Sequence, residues 1–336
     1  MYESFYRLTG KPFQLNPDPS FYYASRGHKR AMSYLEYGLH QGEGFIVITG
    51  EIGAGKTTLV KNLFRRVDPN SYVAAQLVST QLDADDTLRL IAAAFGLKHD
   101  EQSKAVLLKR LEEYLGSVAR QGRRALLVVD EAQNLTPRAV EELRMLSNFQ
   151  IGEKSLLQSF LLGQPEFRYT LQGEGMQQLR QRIIASYHLG PMDAPETRSY
   201  IEHRMKTVGW AGDPEFNENC FAPIYEFTGG IPRRINTLCD RVLLFGYLED
   251  KHRIDAETVS AVIGDLNGEM PTLAANDVGA GRTSMRRVAA NGDDRMLEQL
   301  DRRVSKMERS IVNILKLSRE LLNIAHDKQP EKRDGS

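Results

Sequence analysis

Cysteine is scarce: the chain has two in 336 residues, Cys220 and Cys239. No CxxC pair and no His/Cys cluster accompanies them. That excludes a disulfide-stapled scaffold and predicts buried thiols in a reducing compartment. An excess of charge of one sign is also missing, because Lys and Arg together number 44 and Asp and Glu together number 44. The whole molecule therefore has no global attraction to nucleic acid or anionic lipid, although local basic patches remain open. Long apolar runs are absent as well. The longest, such as Ala125–Val129, are strand-sized and far short of the roughly 20 residues that a membrane-spanning helix needs. Met1–Arg7 shows no basic stretch followed by an apolar one, so no secretory leader is read there. The expected location is the cytoplasm, with any contact at the inner face of the membrane made peripherally. His28, His40, His99, His188, His203, His252 and His326 have no metal-ligand spacing and read as structural or surface groups.

What is present is an ordinary folded composition, 41% apolar and 26% charged, with room for roughly two domains. Residues 1–40 are rich in aromatics and carry the turn-like run Asn16-Pro17-Asp18-Pro19, whose prolines block helix. Phe45–Thr49, Tyr72–Val78, Ala125–Val129, Leu156–Leu162 and Ile183–Leu189 read as strands. Between them lie helical patterns from about Lys56, over 84–95 and 102–120, and from Pro137, where Thr136 is a good N-cap. Strands alternating with helices predict a parallel sheet covered on both faces over residues 41–193. From 194 to 266 only helical patterns occur, which predicts a small all-helical domain. Residues 267–293 contain four Gly and no aromatic and read as a linker. A heptad pattern follows over 294–326, with Leu297, Val304 and Ile311 on one seam position and Leu300, Met307, Ile314 and Leu321 on the other. It predicts a coiled coil. Its apolar stripe widens through Leu315, Leu317, Leu322 and Ile324, which suits a bundle or a partner surface. Residues 327–336 read as a polar, frayed tail.

Gly50-Glu51-Ile52-Gly53-Ala54-Gly55-Lys56-Thr57 matches G-x-x-x-x-G-K-[ST] and stands directly between a strand and a helix, the context a P-loop requires. Its glycines let the backbone wrap a phosphate at a helix N-terminus. Lys56 would reach the β- and γ-phosphates and the Thr57 hydroxyl would ligate Mg²⁺; Thr58 follows in the same nucleotide-contacting run. Asp130-Glu131 closes the strand Ala125–Val129, which we place beside the P-loop strand. Asp130 would hold Mg²⁺ and Glu131 would polarise the attacking water. The pair points to nucleotide hydrolysis. No Asn-Lys-x-Asp base-reading motif occurs, so ATP is favoured over GTP. Asp130-Glu131-Ala132-Gln133 is similar to a helicase box, but a helicase core needs two such sheets and one is seen. Arg180 and Arg182, before a strand, and Arg233, opening a helix after Gly229-Gly230, are candidates for phosphate contact.

With these residues in place the sequence resembles the AAA+ ATPases typified by general secretion pathway protein A (ExeA). Within them it is most similar to the subfamily encoded at exosortase/PEP-CTERM and exopolysaccharide loci. The resemblance is carried by Met1–Tyr6 through Lys11-Pro12-Phe13, Asn16–Pro19, His28, Gly50–Thr57, Asp130–Leu135, Leu143–Phe149, Leu162–Glu166, Leu179–Ile183 and Gly229–Asn236. It covers about residues 1–266.

The resemblance implies a five-stranded α/β ATPase domain with a helical lid, ATP at subunit interfaces and a homo-oligomer. It implies that Gln164 is sensor 1, Arg233 sensor 2, and Arg182 (with Arg180 the second choice) the finger inserted into a neighbour's site. It also implies that Asn16 and Pro17 border the adenine. ExeA-type proteins continue into a membrane span and a periplasmic peptidoglycan-binding domain. Here the linker and heptads stand in that place, so direct cell-wall remodelling is not expected. The expected function is a Mg²⁺-dependent ATPase that works on an envelope export or polysaccharide-synthesis assembly. A DNA-bound switch of the transposition-regulator type, using Arg123, Arg124 and Lys104, is the alternative. An ATP-binding scaffold is a third reading, disfavoured because the catalytic acid is retained.

Overall fold

In the computed structural model, residues 1–78, 83–99, 103–173 and 175–269 are described. The heptad segment, the tail and all but the first three residues of the predicted linker lie outside that range.

Five parallel strands form the central sheet: β1 (Phe45–Gly50), β2 (Tyr72–Val78), β3 (Arg124–Asp130), β4 (Leu157–Gly163) and β5 (Ile183–Leu189), in the order β2-β3-β4-β1-β5. All but the edge strands β2 and β5 are buried almost throughout, as a sheet covered on both faces requires. Alternation then sorts each strand between two cores. Leu127 and Val129 of β3 join Phe45, Val47 and Leu161 against helices α3 (Ala84–Ala94), α4 (Lys104–Arg120), α5 (Pro137–Leu146) and α6 (Glu166–Gln172). Leu126 and Val128 join Ile46, Ile48 and Phe160 on the opposite face, against helices α1 (Arg26–Gln41) and α2 (Lys56–Arg66). Gly38 of α1 lies so close to the sheet that a Cβ there would come within 2.4 Å of Ile46 Cγ1.

Strand order corrects one expectation. β3 does not adjoin β1; β4 runs between them, paired Val47↔Leu161 on one side and Val128↔Phe160 on the other. Residues 45–163 contain no local signal for this, because parallel neighbours are chosen by long-range packing. The consequence is that the ends of β3, β4 and β1 line up along one rim of the sheet.

Helices α7 (Ala194–Thr207), α8 (Phe221–Thr228), α9 (Pro232–Leu248) and α10 (Ala256–Glu269) follow the sheet. α10 continues to Glu269, three residues into the stretch read as linker. Two two-residue ladders have no counterpart in the sequence reading. Gln150–Ile151 pairs with Lys154–Ser155, and Glu215–Phe216 pairs with Arg253–Ile254 among the helices. Pairs this short carry no periodicity.

The first 41 residues divide into three parts. Tyr2, Tyr6, Leu8 and Phe13 are buried in the helical core with Ile201, Leu238, Cys239 and Ile254. Tyr2 donates to Asp240 Oδ1 at 2.5 Å and Tyr6 to the Lys251 carbonyl at 3.0 Å. Residues 14–23 form a strap along a cleft, and α1 covers the sheet. Cys220 and Cys239 are free and buried, and burial pushes both thiols up. Among the described residues no helix is long and apolar enough to cross a membrane.

Candidate functional site

The loop from Gly50 to Gly55 turns sharply from β1 into α2, with Gly53 and Gly55 at φ +82° and +96°. Side chains disfavour that region, which is why glycine stands there. Lys56 is buried and its Nζ donates to the carbonyls of Gly50 at 2.6 Å and Glu51 at 3.0 Å, so the ammonium sits inside the loop. Burial holds its pKa below the ordinary lysine range. Thr57, in the first turn of α2, donates through Oγ1 to Asp130 Oδ2 at 2.8 Å. Asp130 is 2% exposed, and burial raises its pKa although the Thr57 hydroxyl and the Glu131 amide both favour the charged form. Two hard oxygen donors held side by side fit a small divalent cation that keeps most of its own waters. The P-loop and α2 N-terminus beside them fit a polyphosphate.

Glu131 adopts φ +55°, an uncommon conformation for a residue with a Cβ. Its Oε2 receives the Gln133 amide at 2.6 Å and the Gln164 amide at 3.4 Å, and Gln133 Oε1 accepts the Gln164 main-chain N–H at 2.9 Å. Three residues from the ends of β3 and β4 thus lock one another. Gln133 belongs to the quoted motif, but its part in this network was not foreseen. Only its position two residues after Glu131 hinted at it.

A cleft of about 340 Å³ opens over the loop, lined among others by Asn16, Pro17, Thr57, Thr58, Glu131 and Arg233. Lys61 of α2 donates to the Pro17 carbonyl at 2.9 Å, which ties the strap to this wall. The Arg233 main-chain N–H donates to the Gly53 carbonyl at 3.2 Å, and a Cβ on Gly53 would come 2.3 Å from that of Arg233. Helix α9 therefore sits directly on the P-loop. The buried Arg204 of α7 supports the strap from below. Its guanidinium donates to the carbonyls of Pro12 (2.5 Å) and Gln14 (3.3 Å) and to the Tyr200 hydroxyl (2.9 Å), and it lies 4.6 Å over the Phe21 ring. Sequence reasoning missed Arg204, since a mid-helix arginine carries no signal for burial.

Arg180 and Arg182 are not among the residues lining this cleft. Arg182 donates to the Ser147 carbonyl at 3.0 Å and hydroxyl at 2.8 Å; Arg180 donates to the carbonyls of Leu171 at 2.7 Å and Gly173 at 3.2 Å.

Residues 39–171 match the family model described as AAA domain. Over 269 residues, 80% of the chain, the sequence is 36% identical to General secretion pathway protein A of Aeromonas hydrophila. It spans about half of that relative, 49% of its length. Among solved structures the fold is similar to the Aeropyrum pernix ORC2 protein (TM-score 0.59, 17% identity, 76% of this chain and 71% of that one). It is also similar to Drosophila ORC bound to DNA (TM-score 0.58, 14% identity, 80% and 66%) and to Cdc6p of Pyrobaculum aerophilum (TM-score 0.56, 15% identity, 74% and 70%). The described residues therefore form an AAA-type P-loop fold with helices on both faces of its sheet, in a chain related to a general secretion pathway protein over four-fifths of its length.

Proposed function

We propose that the protein is a Mg²⁺-dependent ATPase that oligomerises and couples ATP turnover to the assembly or remodelling of an envelope export system, exopolysaccharide- or exosortase-linked. The observation that carries the ATPase reading is the meeting, on one rim of the sheet, of the Lys56 loop, the Thr57–Asp130 pair and the Glu131–Gln133–Gln164 network. The loop amides and Lys56 would bind the phosphates in exchange for the carbonyls that Lys56 now holds. Mg²⁺ held by Thr57 and Asp130 would supply the positive charge that offsets the phosphate oxygens. Glu131 acts as base toward water: both amides donate to its Oε2, which fixes the carboxylate plane and leaves Oε1 to take the proton. Arg233 reports the nucleotide to the lid, and Asn16 and Pro17 flank the base.

The test is direct. Lys56→Ala should abolish ATP binding, whereas Glu131→Gln should bind ATP and lose hydrolysis by about 10²–10⁴-fold, the usual worth of a general base. Unchanged turnover in both variants would overturn the site.

Oligomerisation rests on Arg182 and Arg180, which lie away from their own chain's cleft and so suit a finger acting on a neighbour. A rate per subunit that rises with protein concentration and collapses in Arg182→Ala supports it. Loss in Arg180→Ala instead would move the role to Arg180. The export setting and a cytoplasmic location, peripheral to the inner face of the membrane, rest on the relation to General secretion pathway protein A. The DNA-switch alternative stands second because one of its cations, Lys104, is held in an ion pair, while its two arginines keep their charge as they donate to main-chain carbonyls. Arg123 donates to the Pro69 and Tyr72 carbonyls, Arg124 to those of Leu39 and His40, and Lys104 pairs with Glu142. Stimulation of turnover by double-stranded DNA would restore it.

A further inference from the structure

The strap of residues 14–23 is fastened at both ends by one side chain. Arg204 of α7 is 6% exposed. Its Nε donates to the Pro12 carbonyl at 2.5 Å, and its two terminal nitrogens donate to the Tyr200 hydroxyl at 2.9 Å and the Gln14 carbonyl at 3.3 Å. The central carbon of the same guanidinium lies over the Phe21 ring, 4.6 Å from its centroid. One planar fork thus holds the entry of the strap at 12–14 and its exit at 21. Tyr200 adds to the grip. Its ring meets Tyr23 edge-on at 5.8 Å, and its hydroxyl lies 2.8 Å from the side-chain amide of Asn236. Asn236 is one helical turn beyond Arg233, the residue through which α9 rests on the Gly53 carbonyl.

Between its ends the strap closes on itself. Asp18 accepts the Ser20 main-chain N–H and hydroxyl, each at 2.8 Å, and the Gln14 side-chain amide at 3.2 Å. The bend so formed carries Leu15, which is 56% exposed and lines the cleft over the P-loop. Ile52 of the P-loop, 59% exposed, lines the same cleft. Phosphates gain nothing from large apolar side chains left open in a cleft. A flat aromatic base does, because it covers them.

We infer that Arg204 is a positioning residue for the base of the bound nucleotide: by fastening both ends of the strap, it holds Leu15 in the cleft as a contact for the base. The reason is the cost of ordering a loop. Each backbone residue fixed costs about 1–2 kcal/mol of conformational entropy. A strap ordered in the folded chain spares the nucleotide that cost when it binds. The guanidinium suits the task because its donors diverge in one rigid plane, so acceptors in different directions are held at fixed angles. The two halves of the cleft are therefore governed by different side chains. Lys56 and Thr57 belong to the phosphate half on α2, whereas Arg204 orders the base half from α7.

This inference rests on the cleft binding ATP, and the experiment separates the two. The full chain is titrated with MgATP and with magnesium tripolyphosphate, which offers the phosphates without base or ribose. The proteins are wild type, Arg204→Lys, Tyr200→Phe and Leu15→Ala, with thermal midpoints recorded alongside. Wild type should bind MgATP more tightly than tripolyphosphate. Lysine keeps the positive charge, but its single nitrogen cannot hold Pro12, Gln14 and Tyr200 together. Arg204→Lys should weaken MgATP about tenfold, the effect of losing one well-placed hydrogen bond, and leave tripolyphosphate within about twofold. Tyr200→Phe keeps the ring and loses only the hydroxyl, so it should act in the same sense at about threefold, and it decides the question if Arg204→Lys does not fold. Leu15→Ala should melt like wild type and weaken MgATP alone. Equal weakening of both ligands in the Arg204 or Tyr200 variant would mark a merely structural role and overturn the inference. Unchanged MgATP affinity in any of the three variants, or a wild type that binds both ligands equally, would overturn it too. A wild type that binds neither ligand would overturn the proposed function instead.

Discussion

Glu131 shows how a single backbone angle serves chemistry. A residue with a Cβ in the left-handed region costs about 1–3 kcal/mol and persists where neighbours hold it. Here the holders are Gln133 and Gln164. Gln133→Ala removes one donor to Glu131 and the acceptor for the Gln164 amide. We expect ATP affinity to stay while turnover falls about tenfold to hundredfold, read as a loss in kcat at unchanged Kd. His28 gives a pH signature. Its pKa is lowered from 6.5 to about 4, so between those values the unfolded chain takes up a proton that the native ring refuses. Stability from this group is therefore intact above about pH 6.5 and falls as pH drops toward 4, by about 3 kcal/mol when complete. Glu196 faces the ring and opposes part of the shift, and Tyr22 stacks edge-on at 6.0 Å. His28→Gln lacks the proton uptake. The difference in urea midpoint between wild type and variant should be flat from pH 7.5 to 6.5 and narrow steadily below that.

At the scale of elements, α1 meets the sheet through Gly38. Alanine is usually the better helix residue by about 1 kcal/mol. At position 38, however, the new methyl would run into Ile46 and Phe160, two residues with no room to move. Overpacking of this kind costs about 1–3 kcal/mol, so Gly38→Ala should lower the chemical-denaturation midpoint despite the helix gain. The strands of this sheet were legible because each is a short, mostly apolar run of strand length. Tyr72–Val78 and Ile183–Leu189 have the limits that the pattern predicts, and Leu156–Leu162 is displaced by one residue. The P-loop was legible because its chemistry is local: eight consecutive residues carry it. What could not be read is long-range. The placement of β4 between β1 and β3, the entry of Tyr2 and Tyr6 into the helical core, and the burial of Arg204 each join segments more than a hundred residues apart. Gln133 was in plain view, but its partner Gln164 is 31 residues away, and only the fold brings their side chains together.

At the scale of the molecule, the helical core, proposed above as a lid, is built from two distant pieces of chain, residues 2–13 and 192–266. Trp210, the single tryptophan, belongs to this core; its Nε1 donates to the Pro214 carbonyl at 3.0 Å. Tyr6→Ala would leave a cavity beside α9 and strand the Lys251 carbonyl, a loss of about 3–5 kcal/mol. Tryptophan emission should therefore report lid unfolding at a lower denaturant concentration in the variant, while the sheet, followed by circular dichroism, unfolds nearer the wild-type midpoint. Coincident transitions in the variant would show instead that lid and sheet unfold as one unit. The two-piece lid also sets a schedule for biosynthesis. Tyr2, Tyr6 and Phe13 leave the ribosome long before the helices that enclose them. At about 5–20 residues per second, the remaining two hundred or so take roughly 10–40 s to follow. Throughout that interval a greasy aromatic leader is exposed with no native cover, so the nascent chain is a natural client for a holding chaperone.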